Sequence, residues 1–164
     1  MTKFIVGILT ISDKGSQGLR ADQGGPQIQS LLPPDLFHIQ LTAIVPDEIP
    51  AIIDVLVEWS DQKKLDLILT TGGTGLSPRD LTPEATGRVI EREIPGMAEA
   101  MRLEGLKHTP FAQLSRAKAG IRGETLIVNL PGSLKAIQEM LPVILPAIPH
   151  AIEKIKGDPR DCAQ

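Results

Sequence analysis

Short runs rich in Ile, Leu and Val alternate along this chain with segments that carry helical signals, and this alternation limits its possible folds more than any other feature. The apolar runs occupy residues 3–12, 36–45, 66–71 and 125–130, and their composition and length predict buried strands. Apolar three-and-four spacing and prolines near first turns predict helices at residues 26–32, 49–62, 83–93, 95–107, 133–140 and 146–156. This order favours an α/β fold, in which helices cover both faces of a mostly parallel sheet.

The whole chain, residues 1–164, fits one globular domain, and its composition narrows the classes of partner. Aromatic residues make up only 2% of it and the net charge is −3, so it offers neither base-stacking platforms nor a cationic face for nucleic acid. The single cysteine, Cys162, excludes an internal disulfide and a multi-cysteine metal site. With no membrane-length apolar run and no secretory signal, we expect a cytoplasmic protein that binds neither nucleic acid nor membrane.

Polar, mostly glycine-rich loops follow the predicted strands. The carboxyl ends of parallel strands meet at one edge of a sheet, so the loops at residues 12–25, 46–48, 72–82 and 129–133 are expected to converge there. Open α/β sheets bind their ligands at this edge. The sequence therefore predicts one cleft that gathers the polar side chains of four loops.

The segment LILTTGGTGLSPRDLTPEAT, residues 67–86, carries the most specific signal. Gly72, Gly73 and Gly75 allow positive φ and expose successive backbone N–H groups, as an anion-binding loop requires. No Gly-Lys-Ser/Thr follows, which excludes a Walker A loop, and Pro78 stands where a dinucleotide fingerprint calls for a third glycine. On spacing alone, a tight strand-to-helix turn that needs glycine explains the pattern equally well.

Two aspartates accompany these loops. Asp47 ends the second strand after a proline, and Asp80 comes five residues after Gly75. Either carboxylate is suited to cap a following helix, although Thr82 offers its own cap beside Asp80. Two acids beside an anion-binding loop suit ligand chemistry only with a divalent cation, and Mg²⁺ that bridges phosphate oxygens would make both of them ligands or orienting groups.

The remaining loops offer further polar groups. Ser12 and Asp13 open a glycine-dotted segment that is equally consistent with a mobile surface loop. Asn129 ends the last strand with an amide suited to the edge of a heterocycle, whereas Ser133 also has the position of a helix N-cap. Ser115 carries a hydroxyl able to reach a phosphate. The three histidines show no metal-ligand spacing.

Four motifs in this order resemble the MogA/MoaB group of molybdenum cofactor biosynthesis proteins and the gephyrin G domain. They are SD at 12–13, PD at 46–47, TTGGTG at 70–75 with Asp80, and NLPGS at 129–133, accompanied by SRAKAGIRG at 115–123. The resemblance spans nearly the whole chain. It implies a three-layer α/β/α fold, usually trimeric, that transfers AMP from Mg-ATP to the terminal phosphate of molybdopterin and releases pyrophosphate.

The resemblance also implies roles for individual residues. The two family aspartates needed for catalysis map onto Asp47 and Asp80, which we expect to hold Mg²⁺ and to position the reactants. The glycine loop is expected on the nucleotide side of the cleft, and the NLPGS loop with Ser115 on the pterin side. The residues expected to bind ATP or molybdopterin are Ser12, Asp13, Thr71, Gly72, Gly73, Thr74, Gly75, Ser115, Asn129, Pro131, Gly132 and Ser133.

Two alternatives remain open at this point. One is a MoaB-like paralogue whose adenylylating activity is weak or lost, against which both retained aspartates argue. The other is a non-catalytic module that binds molybdopterin or serves as a scaffold, as the gephyrin G domain does in receptor clustering. Transient contacts with other proteins of molybdenum cofactor biosynthesis are a further expectation of the resemblance.

Overall fold

A six-stranded sheet forms the centre of the computed structural model, which describes residues 2–160. The strand order is β2-β1-β3-β6-β5-β4, and the four strands β2, β1, β3 and β6 run parallel. Strand β5 is antiparallel to β6, and β4 is antiparallel to β5. The strands are β1 (Phe4–Ile11), β2 (Phe37–Val45), β3 (Leu67–Thr71), β4 (Arg92–Glu93), β5 (Ala119–Arg122) and β6 (Thr125–Leu130).

Helices cover both faces of this sheet, so the fold is the three-layer α/β/α arrangement that was predicted. A π-helical turn, Glu58–Gln62, continues α3, and short 3₁₀ turns occupy Pro110–Leu114 and Leu145–Ala147. No helix among residues 2–160 combines the length and apolar character needed to cross a membrane. The helices are α1 (Asp13–Ser16), α2 (Gly24–Leu31), α3 (Ile49–Val57), α4 (Thr82–Val89), α5 (Pro95–Leu106), α6 (Leu134–Ile144) and α7 (Ile148–Ile155).

Successive side chains of a strand point to opposite faces of the sheet, so the core is divided into two layers. In β3, Leu67 and Leu69 face α2, α5, α6 and α7, whereas Ile68 between them faces α3 and α4. Trp59 belongs to the second layer and packs over Gly7 of β1, where a Cβ would overlap its ring. Because both faces of the inner strands are covered, their sequences are almost continuously apolar.

Two predicted helix ends are wrong, and one short helix was not predicted. Helix α4 ends at Val89 rather than at residue 93, because Arg92 and Glu93 pair with β5. Helix α6 continues through Pro142 to Ile144 instead of stopping at residue 140, since burial of Leu141 and Ile144 offsets the missing N–H of the proline. The short helix α1 was predicted as loop. Cys162 lies outside the described residues.

The helices that follow the neighbouring strands β1 and β3 lie on opposite faces of the sheet. Strand β1 leads to α2 on one face, and the adjacent β3 leads to α4 on the other. A crevice opens beyond the carboxyl ends of strands at such a switch point. The topology thus places the loops after β1 and β3 on either side of an opening.

Candidate functional site

A cleft of about 390 Å³ lies at this switch point. Its walls are the last residues of β1 and β3, the loops after β1, β2 and β3, the first turn of α2, and Gly132 and Leu134 after β6. All four loops that were expected to converge contribute to it. Of the residues predicted to form the site, those that line the cleft are Ser12, Asp47, Thr71, Gly72, Gly73, Asp80 and Gly132.

The Gly72–Gly73 turn is shaped by positive φ angles of 96° and 68°. A Cβ on Gly72 would overlap the carbonyl oxygen of Ile11, and a Cβ on Gly73 would overlap Oγ1 of Thr82. That hydroxyl donates to the Gly72 carbonyl at 2.9 Å, and the Thr82 N–H donates to the Gly73 carbonyl at 3.1 Å. Glycine is therefore required here for two reasons, the backbone conformation and the close approach of β1 and α4.

Asp47 and Asp80 both face the cleft, and neither caps a helix. Helix α3 begins after Glu48 and α4 after Leu81, in both cases without a side-chain cap. Oδ2 of Asp47 accepts the Asp13 N–H at 2.9 Å, and Oδ2 of Asp80 accepts the Ser77 N–H at 2.9 Å. The other oxygen of each carboxylate, Oδ1, accepts no hydrogen bond from residues 2–160, which leaves it available to a ligand.

The electrostatics around Asp47 disfavour its negative charge. Burial raises the pKa of the Asp47 carboxyl above its ordinary value, and the negative charges of Asp13 and Asp80 add to the rise. The neighbouring Asp13 behaves oppositely, since hydrogen bonds from Arg79 lower its pKa. A pair of carboxylates that repel one another in a partly buried cleft is stabilised by a cation placed between them.

Magnesium fits this pair in one specific way. Among residues 2–160 no cluster of three or more His, Cys, Asp or Glu side chains is arranged to hold a metal. Mg²⁺, however, is commonly bound through one or two carboxylates, with phosphate oxygens and waters as the remaining ligands. The Oδ1 atoms of Asp47 and Asp80 suit that mode, in which a metal enters together with a phosphorylated ligand.

Arg79 joins two of the loops at the rim of the cleft. Its guanidinium donates to both carboxylate oxygens of Asp13, at 2.7 and 3.0 Å. Asp13 is in turn bonded to Asp47 twice, because the Asp47 N–H donates to Oδ1 of Asp13 at 3.0 Å in return. Asp13 therefore positions Asp47 rather than lining the cleft itself.

Arg116 anchors residues 74–80 of the loop between β3 and α4. Its N–H donates to the Thr74 carbonyl at 2.9 Å, and its guanidinium donates to the carbonyls of Gly75 and Asp80 at 2.8 and 2.6 Å. The same guanidinium pairs with Glu84 of α4 and lowers the pKa of that carboxyl. Residues 74–80 are thus tied to α4 and to the segment before β5 by one residue. Although SRAKAGIRG was among the resembling motifs, nothing in its spacing indicated this role for Arg116.

The loop after β1 is fixed at both ends. Ser12 caps α1 by accepting the Gly15 N–H at 3.0 Å. At the far end, Asp22 accepts from the Thr10 hydroxyl at 2.9 Å and from the Gly25 N–H at 3.1 Å. Sequence reasoning missed Asp22, although an aspartate three residues before a helical N–H is a typical capping signal.

The loop after β6 approaches the glycine loop closely. The Thr71 hydroxyl donates to the Pro131 carbonyl at 2.8 Å, and a Cβ on Gly132 would lie 3.4 Å from the Cα of Gly72. Ser133 caps α6 by accepting the Ala136 N–H at 3.1 Å, the alternative considered for it. Gly132 is the residue of this motif that lines the cleft.

The expected contact between Asn129 and a heterocycle is corrected by the structure. Asn129 is fully buried, and its side-chain NH₂ donates to the hydroxyls of Thr70 and Thr86 at 3.1 and 2.9 Å. Its side-chain oxygen accepts the Lys118 N–H at 3.1 Å. With these groups paired, Asn129 fastens β6 to β3 and α4 instead of meeting a ligand. Ser115 also lies outside the cleft lining, as do Thr74 and Gly75.

Comparison with known proteins shows to which family the chain is related. Residues 7–150 match the family model described as a probable molybdopterin binding domain. A molybdopterin adenylyltransferase of Helicobacter pylori is 44% identical over 96% of this chain and 91% of its own length. Gephyrin of Dictyostelium discoideum is 47% identical over 96% of this chain, but the chain spans only 23% of that protein.

Solved structures give the same relationship. The molybdopterin biosynthesis enzyme MoaB of Thermus thermophilus superposes with a TM-score of 0.89 and is 53% identical over 96% of this chain and 99% of its own. In this match and in that with the H. pylori protein, the alignment covers almost the whole of this chain and almost the whole of the relative. The chain is a member of the MogA/MoaB/gephyrin family of molybdopterin-binding domains.

Proposed function

We propose that the protein is a molybdopterin adenylyltransferase, which transfers AMP from Mg-ATP to the terminal phosphate of molybdopterin. The observation that carries the proposal is the convergence of Asp47 and Asp80 on one cleft beside the positive-φ Gly72–Gly73 turn. Relatives that bear this activity in their names match nearly the full chain. The cleft volume of about 390 Å³ falls in the range of small-ligand sites.

The reaction exchanges one phosphoanhydride bond for another. An oxygen of the acceptor phosphate attacks the α-phosphorus of ATP, and the bond from that phosphorus to the bridging oxygen breaks, so that pyrophosphate leaves with the electron pair. Because the attacking phosphate is already ionised at neutral pH, no general base is required. The chief barrier is repulsion between two anions, which must also be held in line.

The residues of this chain have distinct parts in that proposal. Backbone N–H groups of the Gly72–Gly73 turn would bind phosphate oxygens, and Asp47 and Asp80 would hold the metal. When bound there, Mg²⁺ would supply positive charge to offset the negative charge of the phosphate groups. Asp13 and Arg116 position these groups through the contacts described above. The residues on the pterin side are expected near Thr71 and Gly132, where the loop after β6 lines the cleft.

The test measures pyrophosphate release from ATP in the presence of Mg²⁺ and molybdopterin. We expect Asp80→Asn to lower kcat about 100-fold or more, since it removes a negative charge that would hold Mg²⁺ beside the reacting phosphates. Asp35→Asn, an exposed acid outside the cleft lining, is the matched control and is expected to keep wild-type turnover. Full turnover by Asp80→Asn would show that the assignment of this carboxylate is wrong.

The second candidate is a MoaB-like protein that binds molybdopterin without adenylyl transfer. It is retained because this chain is 53% identical to a MoaB structure. The same experiment separates the two candidates. A wild-type protein that binds molybdopterin and releases no pyrophosphate with Mg-ATP is a binding member of the family. A homotrimer, transient contacts with other proteins of the pathway and a cytoplasmic location are parts of the proposal that follow from the family resemblance.

A further inference from the structure

Arg20 is the basis of a further inference about how the cleft holds its substrates, which rests on the proposed function. The charged side chains that line the cleft are Arg20, Asp22, Asp47 and Asp80. Three of these four are acidic, whereas the substrates of the proposed reaction are polyanions. Among the described lining residues, Arg20 alone supplies positive side-chain charge.

The two arginines that tie together the loops around the cleft are already engaged. Arg79 is bound in bidentate fashion to Asp13, and Arg116 is bound to Glu84 and to two backbone carbonyls. Arg20 differs from both, because it is exposed and makes no ion pair or hydrogen bond with any part of residues 2–160. Its five N–H donors are therefore available to a ligand without the loss of a protein contact.

The local structure holds Arg20 at the cleft. Two residues further on, Asp22 bonds to the Thr10 hydroxyl at the end of β1 and to the Gly25 N–H in the first turn of α2. This anchor fixes the backbone next to Arg20 while the side chain remains unbound. The segment before it reverses at Gly18, whose φ is 71°.

We infer that Arg20 binds a phosphate group of the substrate by charge-assisted hydrogen bonds. A planar guanidinium with a free fork of donors is well suited to two phosphate oxygens at once. Asp47 and Asp80 need a metal before they can approach a phosphate, whereas Arg20 does not. The phosphate can belong to ATP or to molybdopterin, and both sources share the same recognition chemistry.

Binding measurements on the full chain test this inference. The dissociation constants of Mg-ATP and of molybdopterin are measured separately for wild type, Arg20→Gln and Arg20→Lys. We expect Arg20→Gln to weaken the binding of one of the two ligands about tenfold and to reduce its salt dependence, and Arg20→Lys to recover part of the loss. The ligand that weakens identifies the source of the phosphate.

Arg88→Gln on α4 is the matched control. The side chain of Arg88 is also exposed and makes no ion pair or hydrogen bond with residues 2–160, but it does not line the cleft, so both dissociation constants should stay at wild-type values. Dissociation constants for Arg20→Gln within twofold of wild type for both ligands would overturn the inference and leave the proposed function intact. A wild-type chain that binds neither ligand would overturn the proposed function and the inference together.

Discussion

At the scale of single residues, Asp47 combines a functional position with a cost to stability. Its carboxylate is half-buried, and Asp13 and Asp80 both bring negative charge close to it. The pKa of Asp47 is raised mainly by burial, so the ionised form is less favourable in the folded protein than in the unfolded chain. The negative charge that the proposed function assigns to Asp47 therefore destabilises the ligand-free fold.

Asp47→Asn is accordingly expected to stabilise the ligand-free protein at neutral pH. Asparagine keeps an oxygen that can accept the Asp13 N–H but removes the charge, and we expect the Tm at pH 7 to rise by up to about 3 °C. A carboxyl with a raised pKa costs stability when ionised and nothing when protonated. The gain should therefore shrink as pH falls through the raised pKa and disappear below the ordinary value near 3.9.

Thermal unfolding across this pH range is the measurement. Asp35→Asn serves again as control, since its carboxylate is exposed and no gain in Tm is expected. A fall in Tm for Asp47→Asn at neutral pH would show that the hydrogen bonds of this carboxylate outweigh its desolvation.

Residue-level prediction from the sequence succeeded where backbone chemistry was decisive. Gly72 and Gly73 adopt positive φ angles, although Gly75 does not, and the two aspartates line one cleft because both follow parallel strands. It failed for Asn129, because a polar residue at a strand end has the same pattern whether it meets a ligand or fastens two strands. Nothing in the sequence indicated that Arg20 lines the cleft, since arginines are common in polar loops of every kind.

At the scale of elements, Arg116 controls the shape of the loop between β3 and α4. One guanidinium bonds to the carbonyls of Gly75 and Asp80 and to Glu84, so the backbone beside Asp80 depends on a side chain from a distant part of the chain. Displacement of a positioned group by about 1 Å can reduce a rate about 100-fold. Loss of this anchor should therefore affect turnover more than stability.

Arg116→Met is expected to lower kcat/KM at least tenfold while reducing Tm by only a few degrees. The matched control is Arg122→Met. Arg122 forms a similar clamp, with bonds to Asp61 and to the Val89 carbonyl, beside the turn that precedes β6 at the opposite edge of the sheet.

Pyrophosphate release and thermal unfolding of both variants show whether Arg116 affects turnover more than stability. Arg122→Met should lose stability and keep turnover. Equal losses of turnover in the two variants would indicate a general effect on folding, and wild-type turnover in Arg116→Met would contradict the positioning role.

Most elements were predictable because apolar periodicity and proline positions specify them directly. The errors lie where tertiary contacts decide the outcome. Helix α6 passes through Pro142 because its apolar face is buried on either side of the proline, and the short strand β4 exists only by pairing with β5. Neither effect is visible in a local window of sequence.

At the scale of the whole molecule, apolar side chains remain exposed on α5 and the 3₁₀ turn that follows it. Leu103, Phe111 and Leu114 are 66%, 73% and 46% exposed, and Leu106 is 44% exposed. Leu103 and Leu106 are three residues apart and so lie near one another on the helix surface. Exposed apolar residues concentrated in one region are typical of protein interfaces and support the proposed homotrimer.

The double variant Leu103→Asp, Phe111→Asp is expected to reduce the mass in solution from that of a trimer to that of a monomer. Charges buried at an interface are costly, whereas both sites are exposed in the single chain and the fold should persist. Light scattering measures the mass, and circular dichroism verifies the fold. Leu19→Asp, at a leucine that is 73% exposed in the loop after α1, should leave the mass unchanged. A monomeric wild type would remove the trimer from the proposal.

The paired bonds between Asp13 and Asp47 have a mechanical consequence for the molecule. They join the loops that follow β1 and β2, and Arg79 extends this hydrogen-bond network to the loop after β3. We therefore expect a substitution that shifts one of these loops to shift the Asp47 carboxylate as well. Under the proposed function, a substitution in the outer part of one of these loops is thus expected to change activity without removing any contact with the substrate.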